Sequence, residues 1–159
     1  MNAMILTMAL VLGGAADSLT TAKVGGLTLK APAGWVATDA DDGKNWEEPT
    51  RAAQLELTVF KVDPRRKAQD CLDQLLEKLG KNGWDKLSIG GEPAVRKVTI
   101  DYVGEADAGK TDANKVSTVM YVGCNGSTKW VMSMTSTSNK SARFGAVLKT
   151  IVESIAYAK

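Results

Sequence analysis

Apolar and polar residues alternate in several short stretches, and this pattern predicts β-strands. The alternation is clearest over residues 54–62, where Leu55, Leu57 and Val59 fall on one face. Looser alternation predicts strands over 24–31 and 94–103. Turn-forming residues bound the strands. They are Pro32 to Trp35, a polar loop over 39–44, and Gly90-Gly91 after a strand ending near Ile89.

Two other stretches have apolar residues at helical spacing, which predicts amphipathic helices. The first predicted helix has a single stripe of apolar residues, and we expect Gly80 or Gly83 to end the helix. Asp63 is its expected N-cap, and Pro64 fits the first helical position. The second helix is expected to be capped by Ser138 or Asn139. The two stripes are Ala68, Leu72, Leu75, Leu76 and Leu79, and Phe144, Val147, Leu148, Ile151, Val152 and Ile155.

The dipeptide Asn125-Gly126 separates two strand-like runs and predicts a β-hairpin. A two-residue loop would place Cys124 opposite Ser127 and Tyr121 opposite Trp130. Apolar residues occur on both faces of this hairpin, so we expect it to be central and covered on both sides. The resulting order of elements predicts an α+β layered sandwich with a mainly antiparallel sheet covered by helices.

The N-terminal stretch resembles a secretory signal peptide. Residues 1–16 carry no charged side chain, and 4–12 form the apolar run MILTMALVL. Gly14 and Ala16 suit a cleavage site before Asp17, although no Lys or Arg precedes the run. The run is too short to span a bilayer. We therefore expect a signal peptide over 1–16 and a single periplasmic or secreted domain over 17–159. The alternative is a buried N-terminal helix or strand.

The composition of the chain argues against nucleic-acid binding and against the commonest kinds of catalytic and metal site. The chain of 159 residues suits one domain, and its formal net charge of +2 is too small to indicate a nucleic-acid partner. It contains no histidine, the commonest general base and metal ligand. Neither a Gly-x-Ser-x-Gly nor a Ser-x-x-Lys motif occurs. The sequence thus nominates no catalytic, metal-binding or cofactor-binding residue.

Three segments resemble the PsbP-like and Mog-like superfamily. They are LTLKAPAGW at 27–35, IGGEPAVRKVTIDY at 89–102 and FGAVLKTIVESI at 144–155. The resemblance covers most of residues 24–158 and implies a twisted antiparallel sheet between helices. It implies a fold more than an activity, because its members differ in role. No functional residue of a member carries over to this sequence.

Arg65, Arg66 and Lys67 form a basic cluster that we expect in the first turn of the first helix. Cations there oppose the helix dipole, so binding of an anion or of a negatively charged partner surface would explain them. The alternative is a solvated helix start. Trp46, between Asn45 and Glu47, is the tryptophan most expected to be exposed. We predict partner binding through the basic cluster and Trp46.

Residues 104–111 fit the phosphate-loop pattern G-x-x-x-x-G-K-[ST]. Such a loop needs a helix after it, whereas 116–122 is rich in β-branched residues and predicts a strand. Glu105 and Asp107 would also repel phosphate. We therefore expect a solvated hairpin connection, with nucleotide binding as the alternative.

Two further groups of residues leave alternatives open. Asp39, Asp41 and Asp42 form an oxygen-rich loop, but their spacing does not fit an EF-hand, so a solvated loop is expected. Cys71 and Cys124 would enter an oxidising compartment on export. They form either a disulfide or two separate thiols, one buried and one exposed.

These observations favour a non-catalytic exported module that binds a protein or an envelope component. One alternative is a carrier of a small apolar ligand, with a cavity lined by Trp130, Met132 and Met134. The other is an enzyme, either a nucleotide hydrolase that uses residues 104–111 or a carboxylate-based hydrolase.

Overall fold

The computed structural model describes residues 18–104 and 109–159, so the predicted signal peptide lies outside the described residues. The described part forms strands and two helices, with a short 3₁₀ turn at Ser138–Lys140 before the second helix. In chain order the elements are β1 Leu19–Val24, β2 Leu27–Pro32, β3 Val36–Ala40, β4 Gly43–Glu47, β5 Ala53–Lys61, α1 Ala68–Leu79, β6 Asp85–Ile89, β7 Glu92–Tyr102, β8 Lys115–Cys124, β9 Thr128–Thr137, α2 Ser141–Glu153 and β10 Ala156–Tyr157.

The strands form two antiparallel sheets. The larger has the order β3-β4-β5-β9-β8-β7-β6, and the smaller has the order β1-β2-β10. The β8–β9 hairpin lies in the middle of the larger sheet, with α1 on one face and α2 with the smaller sheet on the other. The α+β sandwich is therefore confirmed, as is the central position of this hairpin.

The larger core fills the space between the central sheet, α2 and the smaller sheet. It contains the predicted apolar stripe of the second helix, of which Phe144, Leu148 and Ile151 are fully buried. Trp35 packs edge-on against Phe144, with ring centroids 5.7 Å apart. In the same core, the bare backbone of Gly123 makes room for the indole of Trp130.

The smaller core lies between α1 and the other face of the sheet. Its buried residues come from α1 and from the facing strands: Cys71, Leu72, Leu75, Val95, Val122 and Cys124. Each apolar face of the central hairpin thus has its own covering layer. This arrangement explains why apolar residues occur on both sides of the same strands.

The register of the central hairpin differs from the predicted one by two residues. Cys124 lies opposite Lys129, and Tyr121 lies opposite Met132. The Asn125 side chain causes the shift, because its Oδ1 accepts hydrogen bonds from the N–H groups of Ser127 and Thr128 at 3.0 and 2.8 Å. A shift of two preserves the face of every side chain, so the predicted faces are confirmed.

Two predicted segment types and the predicted cap of the second helix are wrong. The expected strand over 24–31 is interrupted by the Gly25-Gly26 turn, which joins β1 to β2. The expected loop over 39–44 is the β3–β4 hairpin, with Asp39 opposite Lys44. Ser138 and Asn139 form the 3₁₀ turn instead of capping α2, whose N-cap is Lys140.

Candidate functional site

The segment that carries the predicted basic cluster lies outside α1. The first helical bond is donated by Cys71 N–H to the Lys67 carbonyl at 3.1 Å, so Lys67 is the N-cap. Asp63 and Pro64 therefore lie four or more residues before the helix proper, and their predicted roles are wrong. The predicted placement of Arg65 and Arg66 in the first helical turn is wrong for the same reason.

This segment does not enter the helix because its backbone bonds to the β8–β9 turn. Val62 N–H donates to the Ser127 carbonyl at 2.7 Å, and Arg66 N–H donates to the Gly126 carbonyl at 3.0 Å. Gly126 has φ +90°, and a Cβ there would collide with the Arg66 carbonyl. Glycine thus provides both the turn conformation and the close approach of the two chains.

A disulfide between Cys71 and Cys124 ties the same two regions together. The two Cα atoms are 6.2 Å apart, within the range a disulfide requires. The structure thereby selects the bridged alternative of the two left open by the sequence. The Cys124 sulfur also accepts the Gly126 N–H at 3.2 Å. The start of α1 is therefore fixed to the turn covalently as well as through the backbone.

Five cationic residues lie on the segments that meet at the β8–β9 turn, and we call them the basic corner: Lys61, Arg65, Arg66, Lys67 and Lys129. The side chains of Lys61 and Lys129 point to opposite faces of the sheet. Arg65, Arg66 and Lys67 are exposed and form no ion pair with another residue of the described part of the chain. The acidic residues along this stretch are Asp63 and Asp70. Arg65, Arg66 and Lys67 therefore extend into solvent from a backbone that hydrogen bonds hold in place.

Lys61 and Lys129 are members that the sequence analysis missed. Lys61 lies opposite Thr128 across β5 and β9, directly beside the turn that binds Arg66. The Lys129 ammonium lies over the Phe60 ring, 5.4 Å from its centroid. No local pattern indicates this grouping, because it depends on the pairing of β5 with β9. A correct pairing of these strands would have revealed it.

Trp46 does not belong to this surface. Its side chain is 3% exposed and packs in the larger core, where it lies opposite Leu55 of β5. The prediction of Trp46 as an exposed partner-binding aromatic is therefore wrong. Its polar neighbours Asn45 and Glu47 point to the other face of β4, as expected from strand alternation.

The described part of the phosphate-loop pattern is a turn between antiparallel strands. Asn114 Oδ1 accepts bonds from the Thr111 N–H and hydroxyl at 2.9 and 3.1 Å, and the Lys110 ammonium lies 5.5 Å from the Tyr102 ring centroid. Strand β8 begins at Lys115, so residues 109–115, all described, contain no helix. Residues 105–108 of the pattern lie outside the described residues. The expected hairpin connection is confirmed at both of its described ends.

The predicted oxygen-rich group lies at the tip of the β3–β4 hairpin. Asp39 accepts a 2.9 Å bond from Lys44, and both residues line a cleft of about 320 Å³ beside the β1–β2 turn. Within residues 18–104 and 109–159, no group of three or more acidic or cysteine residues is arranged to hold a metal ion.

The residues expected to line a carrier cavity are packed in the larger core. Trp130 and Met132 are fully buried, and Met134 is 2% exposed. Trp130 Nε1 donates to the Tyr157 hydroxyl at 2.8 Å, and burial raises the pKa of that hydroxyl. A cleft of about 180 Å³ between β6 and α2 has a different lining, which includes Leu87, Tyr121 and Lys149.

A buried carboxylate organises the connection between β4 and β5. Glu48 is 8% exposed, and its Oε2 accepts the Thr50 hydroxyl and the N–H groups of Thr50 and Ala52. The Thr50 hydroxyl bond, more than any other contact, holds the pKa of Glu48 below its ordinary value. Arg51 has φ +60° in this loop. The carboxylate thus accepts hydrogen bonds from N–H groups that have no backbone carbonyl partner in this tight loop.

Comparison with solved structures shows what the fold resembles. A crystal structure of a protein from Bacteroides thetaiotaomicron superposes with a TM-score of 0.63 at 13% identity, over 84% of this chain and 46% of that protein. The solution structure of cyanobacterial PsbP, CyanoP, from Synechocystis superposes with a TM-score of 0.61 at 12% identity, over 91% of this chain and 95% of CyanoP. The chain has a PsbP-like fold.

The PsbP-like fold is supported by structure alone. No protein-family model matches the sequence, and no curated protein matches it. The chain spans less than half of the Bacteroides protein. At these low identities a role must be argued from this chain's own side chains. No helix in the described portion of the chain has the length and apolar character needed to cross a membrane.

Proposed function

We propose that this chain is a non-catalytic exported module that binds a negatively charged surface of a protein or envelope component through the basic corner. The observation that carries this proposal is the attachment of Arg65 to Lys67 to the β8–β9 turn by the Arg66–Gly126 bond. We further propose that the chain belongs to the PsbP-like and Mog-like superfamily, as its three resembling segments suggest.

A fixed backbone favours binding because less conformational entropy is lost when a partner docks. Arg65 and Arg66 suit carboxylate or phosphate groups, since a guanidinium donates two parallel hydrogen bonds to either. The neighbouring Lys61 and Lys129 add positive potential, which speeds the encounter with an acidic surface. The basic corner therefore places several cations on a backbone that is already held in position before a partner binds.

Export is supported by two features. The apolar run at 4–12 and the small residues after it resemble a signal peptide. A disulfide such as Cys71–Cys124 is typical of proteins in an oxidising compartment such as the periplasm or the extracellular space. We propose cleavage before Asp17 and a mature domain over 17–159.

The non-catalytic part of the proposal rests on the use of side chains within the fold. Thr111 bonds to Asn114 rather than facing a substrate. The buried Glu48 accepts hydrogen bonds within its own loop. The carboxylates at the tip of the β3–β4 hairpin include Asp39, which pairs with Lys44. These groups thus have structural roles in the described chain.

Comparative capture from envelope and secreted fractions tests the proposal. The wild-type chain is immobilised beside Arg65→Gln/Arg66→Gln/Lys67→Gln and beside a control, Lys81→Gln/Lys86→Gln/Lys149→Gln. Both triple variants remove three positive charges from exposed positions. We expect the wild type and the control to retain the same component and the first variant to lose it. Equal retention by all three proteins, or no retained component, would contradict the proposal.

A further inference from the structure

The outer half of β7 has an open edge. Strand β6 pairs with β7 only as far as the Asp85–Arg96 pair. The segment before β6 also reaches the next residue, since the Lys97 ammonium donates to the Asn82 carbonyl at 3.1 Å and lies 5.5 Å from the Trp84 ring centroid. Beyond Lys97, residues 98–102 of β7 lie against β8 on one side, and no strand of the described chain pairs with them on the other. An open strand edge offers unpaired N–H and C=O groups to another strand.

The direction of these backbone groups follows from one hydrogen bond. Val103 N–H donates to the Asn114 carbonyl at 2.8 Å, so Val103 points toward the β8 side. Backbone groups of successive residues in a strand point in opposite directions. The N–H and C=O groups of Val98, Ile100 and Tyr102 therefore point outward from the open edge.

The same three residues have exposed apolar side chains. Val98, Ile100 and Tyr102 are 44%, 48% and 41% exposed, and they lie on the face of the sheet that carries α2. On the opposite face, Lys97, Thr99 and Asp101 alternate with them. The edge thus offers an outward hydrogen-bonding ladder together with an apolar row, the features to which an added strand binds.

We propose that a second copy of this chain pairs with this edge, antiparallel and about a two-fold axis at Ile100. Ile100 is the central one of the three outward-pointing residues. In this register Ile100 faces Ile100 of the second copy, and Val98 faces Tyr102. All three are outward-pointing residues, so each pair exchanges two backbone hydrogen bonds. The apolar rows of the two copies then become one continuous cluster.

The polar side chains on the other face of β7 are also compatible with this register. Thr99 faces Asp101 of the second copy, and its hydroxyl can donate to that carboxylate. Lys97 keeps its contacts with the Asn82 carbonyl and the Trp84 ring of its own chain. No two like charges lie directly opposite each other. By contrast, a register shifted by two residues toward β6 would place Tyr102, the last residue of β7 in the second copy, beside Arg96, where Asp85 already lies.

Sedimentation and site-specific cross-linking of the full chain test this interface. We expect a concentration-dependent dimer in the wild type. Ile100→Lys places two ammonium groups opposite each other and should weaken dimerisation about tenfold or more. Val36→Lys, at an exposed apolar position on the opposite edge strand β3, is the matched control and should dimerise like the wild type. Thermal melting verifies that both variants remain folded.

The register has its own test. Ile100→Cys should form an intermolecular disulfide under oxidising conditions, because the paired Cα atoms would be about 5.5 Å apart. Val98→Cys is the control, since its copies would be about 13 Å apart along the strands. A monomer at all concentrations would overturn the proposal. So would a dimer that Ile100→Lys leaves intact, or equal cross-linking of the two cysteine variants.

Discussion

The backbone N–H of Arg66 donates a hydrogen bond to the carbonyl oxygen of Gly126, across 3.0 Å. This bond joins two segments that are distant in sequence and determines where the basic corner lies. It also explains why α1 begins at Ala68 rather than near Pro64. The start of the helix and the position of the cations are thus consequences of one tertiary contact.

Gly126→Ala tests this contact. The added Cβ would meet the Arg66 carbonyl and would strain a residue with φ +90°, so we expect a loss of about 1–3 kcal/mol in the free energy of unfolding. Gly91→Ala is the control, because Gly91 has φ +82° but no neighbouring atom within 4 Å. Urea denaturation measures both. Equal losses in the two variants would show that the close approach contributes nothing.

Removal of the disulfide should destabilise the fold. Cys71 and Cys124 are separated by 53 residues, and loop-closure entropy predicts a loss of about 4 kcal/mol in Cys71→Ala/Cys124→Ala. Urea denaturation with and without a reductant measures the effect. The reductant should lower the midpoint of the wild type to near that of the double variant and leave the variant unchanged. A wild-type midpoint that does not respond to reductant would refute the prediction.

Glu48 should make stability depend on acidic pH. Its pKa is lowered in the folded state, chiefly by the Thr50 hydroxyl bond, so its contribution is present above the ordinary value of 4.5 and is lost as pH falls through the folded value. At neutral pH we expect Glu48→Gln to cost about 1 kcal/mol, and the difference from the wild type should shrink in acid.

Glu47→Gln is the control for this pH dependence. Glu47 is an exposed neighbour that pairs with Arg51, and such pairs contribute little to stability. Urea midpoints measured over a range of acidic pH compare the two variants. A constant difference between the wild type and Glu48→Gln at every pH would rule out the proposed role of this carboxylate.

Tyr157→Phe should destabilise the larger core. The substitution leaves the Nε1–H of the fully buried Trp130 without its partner, at a cost of about 1–3 kcal/mol. Tyr102→Phe changes an exposed tyrosine and should cost nothing measurable. Thermal and urea unfolding, followed by tryptophan fluorescence, distinguish the two variants. Similar stability of both would mean that the Trp130–Tyr157 bond is not needed.

The raised pKa of Tyr157 should make both the stability of the fold and the tyrosine absorbance depend on alkaline pH. Burial raises this pKa above the ordinary value of 10.0, so the hydroxyl stabilises the fold below that value. The contribution should decline as pH rises through the folded pKa. Spectrophotometric titration of the wild type should include a component above the ordinary value that is lost in Tyr157→Phe. A component that persists unchanged in Tyr157→Phe would contradict this expectation.

Much of the sheet could be predicted from residue types because side-chain faces depend on alternation alone. Alternation correctly places Tyr121 and Val122 on opposite faces, although the hairpin register differs from the predicted one by two residues. The register itself depended on Asn125, whose side chain closes the turn. The pattern of apolar residues contains no information about that choice.

The candidate site was only partly predictable, because its geometry depends on contacts between distant segments. The cations at 65–67 are adjacent in sequence, but their backbone direction depends on Gly126. Trp46 is the opposite case. It has polar neighbours in sequence, yet its burial follows from the pairing of β4 with β5, opposite Leu55. Local polarity indicates exposure only when the partner strand is known.

The central claim is that the basic corner is the binding surface, and the affinity of a captured component for the three immobilised proteins tests it most directly. We expect Arg65→Gln/Arg66→Gln/Lys67→Gln to bind at least about tenfold more weakly than the wild type, with a smaller dependence on salt. The control Lys81→Gln/Lys86→Gln/Lys149→Gln should keep the wild-type affinity. Equal affinities and equal salt dependence in all three proteins would contradict the account.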